Sequence, residues 1–121
     1  RNELLKLKES TKNNTTITFV LAVAYWWRNE IIRGIKKFIE SWLDVSNLNE
    51  YNFLDFLDTW AFPQPDLLIR TGWDIRLSWF MQYVSDYSEY YFTDKKWPDF
   101  DKNDLDNAIN NFLKTKRNFG K

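Results

Sequence analysis

Apolar residues change their spacing along this chain, and each change marks an element. Thr15 to Tyr25 (TTITFVLAVAY) is dense in β-branched and apolar residues without alternation, the pattern of a strand buried on both faces. Arg28 to Leu43 switches to helical spacing. Ile31, Ile35, Phe38, Ile39 and Trp42 share one side, opposite Lys36, Lys37 and Glu40. A short helix is expected over Leu48 to Leu57, ended by Phe62-Pro-Gln-Pro65. Asp66 to Arg70 and Tyr90 to Thr93 read as short strands, with a helix over Leu77 to Tyr87 between them. After the turn at Lys96-Trp-Pro98, Leu105, Ala108, Ile109 and Phe112 repeat at helical intervals, so Asp101 to Arg117 is a final helix capped by Asp101. Residues 1–10 carry the charge pattern of a helix end, and Thr11 to Asn14 is a polar turn.

Strands alternating with helices predict an α/β fold, an open and mostly parallel sheet with helices on both faces. Three strands make a poor sheet alone, because such a sheet needs cover on both faces and neighbours at its edges. The chain opens at Arg1 inside helical charge pattern. Residues 1–121 are therefore expected to form the C-terminal portion of one domain, incomplete without an N-terminal half. The longest apolar run, Phe19 to Trp27, is too short to span a bilayer.

Composition narrows the chemistry. Seventeen basic and seventeen acidic side chains cancel, which argues against a general nucleic-acid binder. Cysteine and histidine are both absent, so disulfides, thiolate metal sites and the commonest general base are excluded. What remains is carboxylates, guanidinium groups, hydroxyls and a hard cation.

Arg70, Arg76 and Ser78 place two guanidinium forks and a hydroxyl close together after an apolar strand. That set suits a diphosphate, at the strand end where open α/β sheets bind ligands. The bland alternative is that both arginines are surface residues paired with Asp66, Asp74 or Asp86. Several motifs decide between these. Arg70-Thr-Gly-Trp-Asp-Ile-Arg-Leu-Ser78, Tyr87-Ser-Glu-Tyr-Tyr-Phe92, Phe92-Thr-Asp94 and Trp97-Pro-Asp-Phe100 follow one another, after Tyr25-Trp-Trp-Arg-Asn-Glu-Ile31. In this order and spacing the chain resembles the C-terminal half of the cis-prenyltransferases, the undecaprenyl diphosphate synthase family.

The resemblance implies a Mg²⁺-dependent prenyl transfer. Isopentenyl diphosphate condenses with an allylic diphosphate to give a Z-polyprenyl diphosphate, a lipid-carrier precursor. It implies that Arg70, Arg76, Leu77 and Ser78 hold isopentenyl diphosphate and that Glu89 contributes to Mg²⁺ binding. It further implies a homodimer in which Arg117 and Gly120 reach the partner's site, although Asn118 replaces an arginine usual in relatives. The family's D-G-N-G-R-W loop, with its essential Asp, is not in this sequence, so no catalytic residue is assigned here and the chain alone is expected to be inactive. A cytoplasmic location follows, peripheral to the inner membrane face because the product is a lipid. The rival readings are a non-catalytic scaffold subunit or relic of the same fold, and a membrane-binding module using exposed tryptophan.

Glycine and tryptophan are inverted in frequency. Three Gly stand against seven Trp, where about 7% Gly is ordinary. Trp26, Trp27 and Trp73 stand where relatives carry Gly, and Trp79 and Trp60 where some do. Divergence, an interfacial belt or a stacking surface could account for this. The preferred reading is a TGA codon that the source organism decodes as Gly. Trp97 and Trp42 are expected to be genuine, the latter because it falls on the core stripe. Sequencing the genomic locus should then show TGA at Trp26, Trp27 and Trp73 and TGG at Trp97; TGG at the first three overturns the reading.

Overall fold

Two strands organise the molecule. β1 (Leu67–Thr71) and β2 (Glu89–Thr93) run parallel, with Leu67 opposite Glu89, Ile69 opposite Tyr91 and Arg70 opposite Phe92. The computed structural model describes residues 2–116. The described residues also form three helices, α1 (Asn2–Thr11), α2 (Trp27–Glu40) and α3 (Lys102–Lys114), with short 3₁₀ turns among the connections. The chain is an α/β fold, as its pattern predicts.

α3 starts where the sequence says it should. Asp101 Oδ1 accepts from the backbone N–H groups of Asn103 (2.7 Å) and Asp104 (3.1 Å), and Asp104 returns the contact to the Asp101 N–H (3.0 Å). This reciprocal box satisfies donors that the first helical turn leaves open. Lys95 adds an ion pair to Asp104 at 2.7 Å. The hydrogen bonds from the Asp101 backbone and from Lys95 hold the Asp104 carboxyl below its usual range.

Elsewhere local hydrogen bonding overrides the predicted helices. In place of a helix over Leu48 to Leu57, 3₁₀ turns form at Val45–Asn47 and Asn52–Phe56. Asn49 Oδ1 accepts from the N–H groups of Tyr51 and Asn52, both at 3.0 Å, and Asn52 Oδ1 accepts from the Asn49 N–H at 2.9 Å. Such side-chain bonds compete with the helical ladder. Leu77 to Tyr87 is not a helix either; only Gln82–Val84 makes a 3₁₀ turn. Ser78 (φ 55°) and Met81 (φ 48°) are left-handed, and a right-handed helix cannot run through them.

The predicted strand at Thr15 to Tyr25 also fails to form. The segment is irregular, with Ile17 and Phe19 each 81% exposed. Strands exist through their neighbours, and the sheet of the described residues contains β1 and β2 alone.

Burial on α2 shifts by one position from the expected stripe. Glu30, Gly34 and Phe38 are the buried residues, at i, i+4 and i+8, while Ile35 and Ile39 face out. Trp42 is not in the core at all. The helix stops at Glu40, and Trp42 lies beyond the cap, 93% exposed and left-handed at φ 59°. That is the backbone glycine commonly provides after a helix. Trp26, Trp27, Trp73 and Trp79 have no such left-handed geometry.

The core joins α2 to the turns that follow it. Phe53, Leu57 and Val84 are buried together, with Ile31, Leu48, Leu54, Phe56, Met81 and Tyr83 packed around them. Phe38 meets Phe56 edge-on at 5.3 Å, and Phe53 meets Tyr83 at 5.8 Å. Fully burying a side chain such as Leu57 is worth about 1.5–3 kcal/mol. Many large apolar side chains on α1, α2 and the 15–25 segment remain exposed. Gly34 sets the spacing of the core, because an added Cβ would stand 3.1 Å from both Leu57 Cδ2 and Phe53 Cζ. Gly34→Leu should therefore destabilise the intact protein by about 1–3 kcal/mol, read as a lower denaturant midpoint. An unchanged midpoint would mean that α2 and the Phe53–Leu57 turn separate freely.

Candidate functional site

A left-handed glycine turns the chain at the end of β1. Gly72 has φ 90°, and its N–H donates to the Lys95 carbonyl at 2.6 Å. The loops leaving β1 and β2 are thereby fastened together at the carboxyl edge of the sheet. Residues 72–88 then return to the start of β2 without a helix, folding back past Arg70.

Three of the predicted residues converge there. The Arg70 guanidinium donates to the Arg76 carbonyl, and its Nη1 also reaches Ser78 Oγ at 3.1 Å. Its Nη2 pairs with Asp74 Oδ2 at 3.3 Å, and Arg76 Nη2 pairs with the same oxygen at 2.7 Å. Two cations thus share one carboxylate oxygen. Ser78 is held left-handed, and its carbonyl accepts from Gln82 Nε2 at 3.0 Å. Leu77 is half-buried beside it, and its carbonyl accepts from the Phe80 N–H at 3.2 Å. Asp74 is one of the three partners the bland alternative named, so pairing and convergence are both real: the carboxylate sits inside the cluster.

Glu89 is placed elsewhere. It begins β2 opposite Leu67, and its N–H donates to the Asp66 carbonyl at 2.9 Å. Arg70 faces Phe92, three residues further along β2, so roughly 10 Å of strand separates the two ends. No group of three or more acidic side chains gathers among the described residues. Mg²⁺ is commonly held by one or two carboxylates together with waters and substrate phosphates, so a lone carboxylate such as Glu89 is chemically compatible with the role expected of it. Arg117 and Gly120 lie outside the described residues.

A second polar constellation, whose side chains belong to a sequence motif with no role assigned to it, sits at the start of α2. Glu30 is 1% exposed. It accepts from the Tyr25 hydroxyl and, at 2.9 Å, from the Thr59 N–H. Burial, then the hydrogen bond to Glu30, raises the Tyr25 hydroxyl well above its ordinary range, so it remains a donor. The signal was present in the sequence: a Tyr and a Glu flank the pair Trp26-Trp27 at a helix start. Both tryptophans reach across to the loop of residues 72–88. Trp26 lies on Trp79 at 4.8 Å, and the Arg28 guanidinium sits 5.5 Å from Trp27 and 5.0 Å from Trp79. The Trp27 N–H donates to the Trp79 carbonyl at 3.1 Å, so the beginning of α2 is anchored one residue from Ser78. A cavity of about 200 Å³ lined by Phe38, Leu43, Leu48 and Phe56 lies apart from both constellations, among residues 38–56.

The residues thus build an α/β fold with two arginines and a serine gathered at the carboxyl edge of β1. The comparisons with known proteins supply the assignment: the family model of undecaprenyl diphosphate synthase matches residues 1–120, and the chain belongs to that family. An isoprenyl transferase of Clostridium tetani is 42% identical over 98% of this chain and 48% of its own length. The ditrans,polycis-undecaprenyl-diphosphate synthase of Buchnera aphidicola, (2E,6E)-farnesyl-diphosphate specific, is 41% identical over 99% of this chain and 50% of its own. Among solved structures, lavandulyl diphosphate synthase from Lavandula x intermedia in complex with dimethylallyl diphosphate superposes with a TM-score of 0.92 at 32% identity, covering 99% of this chain and 53% of that one. The chain spans about half the length of the curated relatives it matches.

Removing the buried carboxylate tests how much the α2 start depends on it. Glu30→Ala leaves the Tyr25 O–H and the Thr59 N–H without their acceptor and should cost about 2–4 kcal/mol of unfolding free energy. Glu30→Gln, which keeps an acceptor oxygen, should cost less. Equal losses for both would show that the charge, not the acceptor, is what matters.

Proposed function

We propose that this chain supplies the isopentenyl diphosphate site of a Mg²⁺-dependent cis-prenyltransferase. The single observation that supports it best is the meeting of Arg70, Arg76 and Ser78 at the carboxyl edge of β1. In the proposed reaction the allylic diphosphate gives up its C–O bond to diphosphate. The double bond of isopentenyl diphosphate forms the new C–C bond, and a proton leaves the adjacent carbon to set a Z alkene. Nothing is oxidised or reduced, in keeping with a chain that has no cysteine or histidine.

The role proposed for Arg70 and Arg76 is to neutralise and orient the diphosphate that stays on the nucleophile, with Ser78 as a further donor. Rigid placement matters here, because a fixed phosphate fixes the reach of the attached double bond. The allylic pocket and the catalytic carboxylate are assigned to the part of the fold that this chain does not span. Mg²⁺ would need ligands beyond Glu89. A homodimer, with Arg117 and Gly120 directed at the partner's site, and a cytoplasmic location at the membrane face belong to the same reading. The scaffold alternative draws support from the separation of Glu89 from the arginine cluster.

Titration of isopentenyl diphosphate into the intact protein that carries this chain separates the two. Arg70→Ala should weaken binding by roughly 10–100-fold, the loss of a charge-assisted hydrogen-bonding partner. Arg70→Lys should recover only part of it, since an ammonium cannot span two acceptors as the fork does. Unchanged affinity in Arg70→Ala would favour the scaffold.

A further inference from the structure

We infer that Asp74 is a specificity-determining residue of the diphosphate seat, an internal carboxylate that competes with the incoming anion for Arg70 and Arg76. The inference rests on the proposed diphosphate site. A single oxygen, Asp74 Oδ2, accepts from Arg70 Nη2 at 3.3 Å and from Arg76 Nη2 at 2.7 Å. Phosphate oxygens would call on the same donors, because those are the N–H groups both guanidinium forks direct to one point.

The sign of the effect follows from how each arginine is held. Arg70 is fixed independently of Asp74, through the Arg76 carbonyl and Ser78 Oγ. Its orientation therefore survives loss of the carboxylate. The Arg76 side chain is the more exposed of the two, and Asp74 is the acceptor that draws it toward Arg70. Releasing Arg76 costs little, because ion pairs as exposed as this one contribute little to stability. A diphosphate brings more charge than the carboxylate it displaces, and two phosphoryl groups can engage both forks together. An anion of low charge gains little over Asp74 and is refused. Asp74 thus sets a charge threshold for entry: it lowers the affinity for every anion and leaves useful binding only to the highly charged ones.

The test is titration of inorganic pyrophosphate and of inorganic phosphate into the intact protein, comparing wild type with Asp74→Asn. The amide keeps the shape of the side chain and removes its charge. Asp74→Asn should bind pyrophosphate about 3–10-fold more tightly, and phosphate binding should become measurable where wild type shows little. Asp74→Glu, which keeps the charge, should retain the wild-type preference. Should Asp74→Asn lose its folded circular dichroism, Asp74→Ser removes the same charge and carries the comparison. Equal or weaker pyrophosphate binding in a folded, charge-removed variant overturns the inference, and Asp74 is then an orienting residue for Arg76. If wild type and Asp74→Asn both ignore pyrophosphate, the diphosphate site itself is wrong. If wild type binds it and Arg70→Ala does not, the site stands whatever the Asp74 variants do.

Discussion

The parallel pairing of β1 with β2 is the constraint on which the rest of the site depends. Parallel strands cannot be joined by a tight turn, so residues 72–88 must leave the carboxyl end of β1 and travel back to the beginning of β2. That return journey carries Asp74, Arg76 and Ser78 past Arg70. The same register puts Glu89 at the opposite end of the pair. Proximity in the sequence is thus a poor guide: Ser78, eight residues from Arg70, touches it, and Glu89 is held away by the ladder itself.

Legibility followed the reach of the forces involved. The β strands around Arg70 and Phe92, the helix begun by Asp101 and the arginine–serine convergence were readable, because short apolar runs, caps and strand-end chemistry are written in adjacent residues. The failures share a different cause. Thr15 to Tyr25 has the composition of a buried strand, yet a strand needs a hydrogen-bonded neighbour that composition does not supply. Leu77 to Tyr87 has helical spacing, yet the left-handed backbone at Ser78 and Met81 breaks it. The expected α2 stripe runs through apolar residues alone and leaves out the inward Glu30. Its two donors, one from Tyr25 and one from Thr59, are what allow a carboxylate to lie inward.

The tryptophans take on a different meaning with the fold in view. Trp26 and Trp79 stack on each other with Arg28 against Trp79, and none of Trp26, Trp27, Trp73 and Trp79 carries a backbone that only glycine accepts with ease. The position that does is Trp42, whose placement in the core had been the reason to consider it original. Backbone geometry and motif comparison therefore point to different tryptophans as stand-ins for glycine. The exposed apolar faces of α1, α2 and the 15–25 segment accompany a chain that spans about half of its relatives' length.

The bond from the Gly72 amide to the Lys95 carbonyl reaches further than the turn it closes. Lys95 also grips Asp104 through its ammonium group, and Asp104 is part of the box that starts α3. Arg70's loop, the β2 exit and the base of α3 are consequently links of one mechanical train. A displacement of the loop after Arg70 would reach the root of α3 through these two contacts. The turn works as a coupling, with the sheet as its fixed bearing and the last helix as its lever.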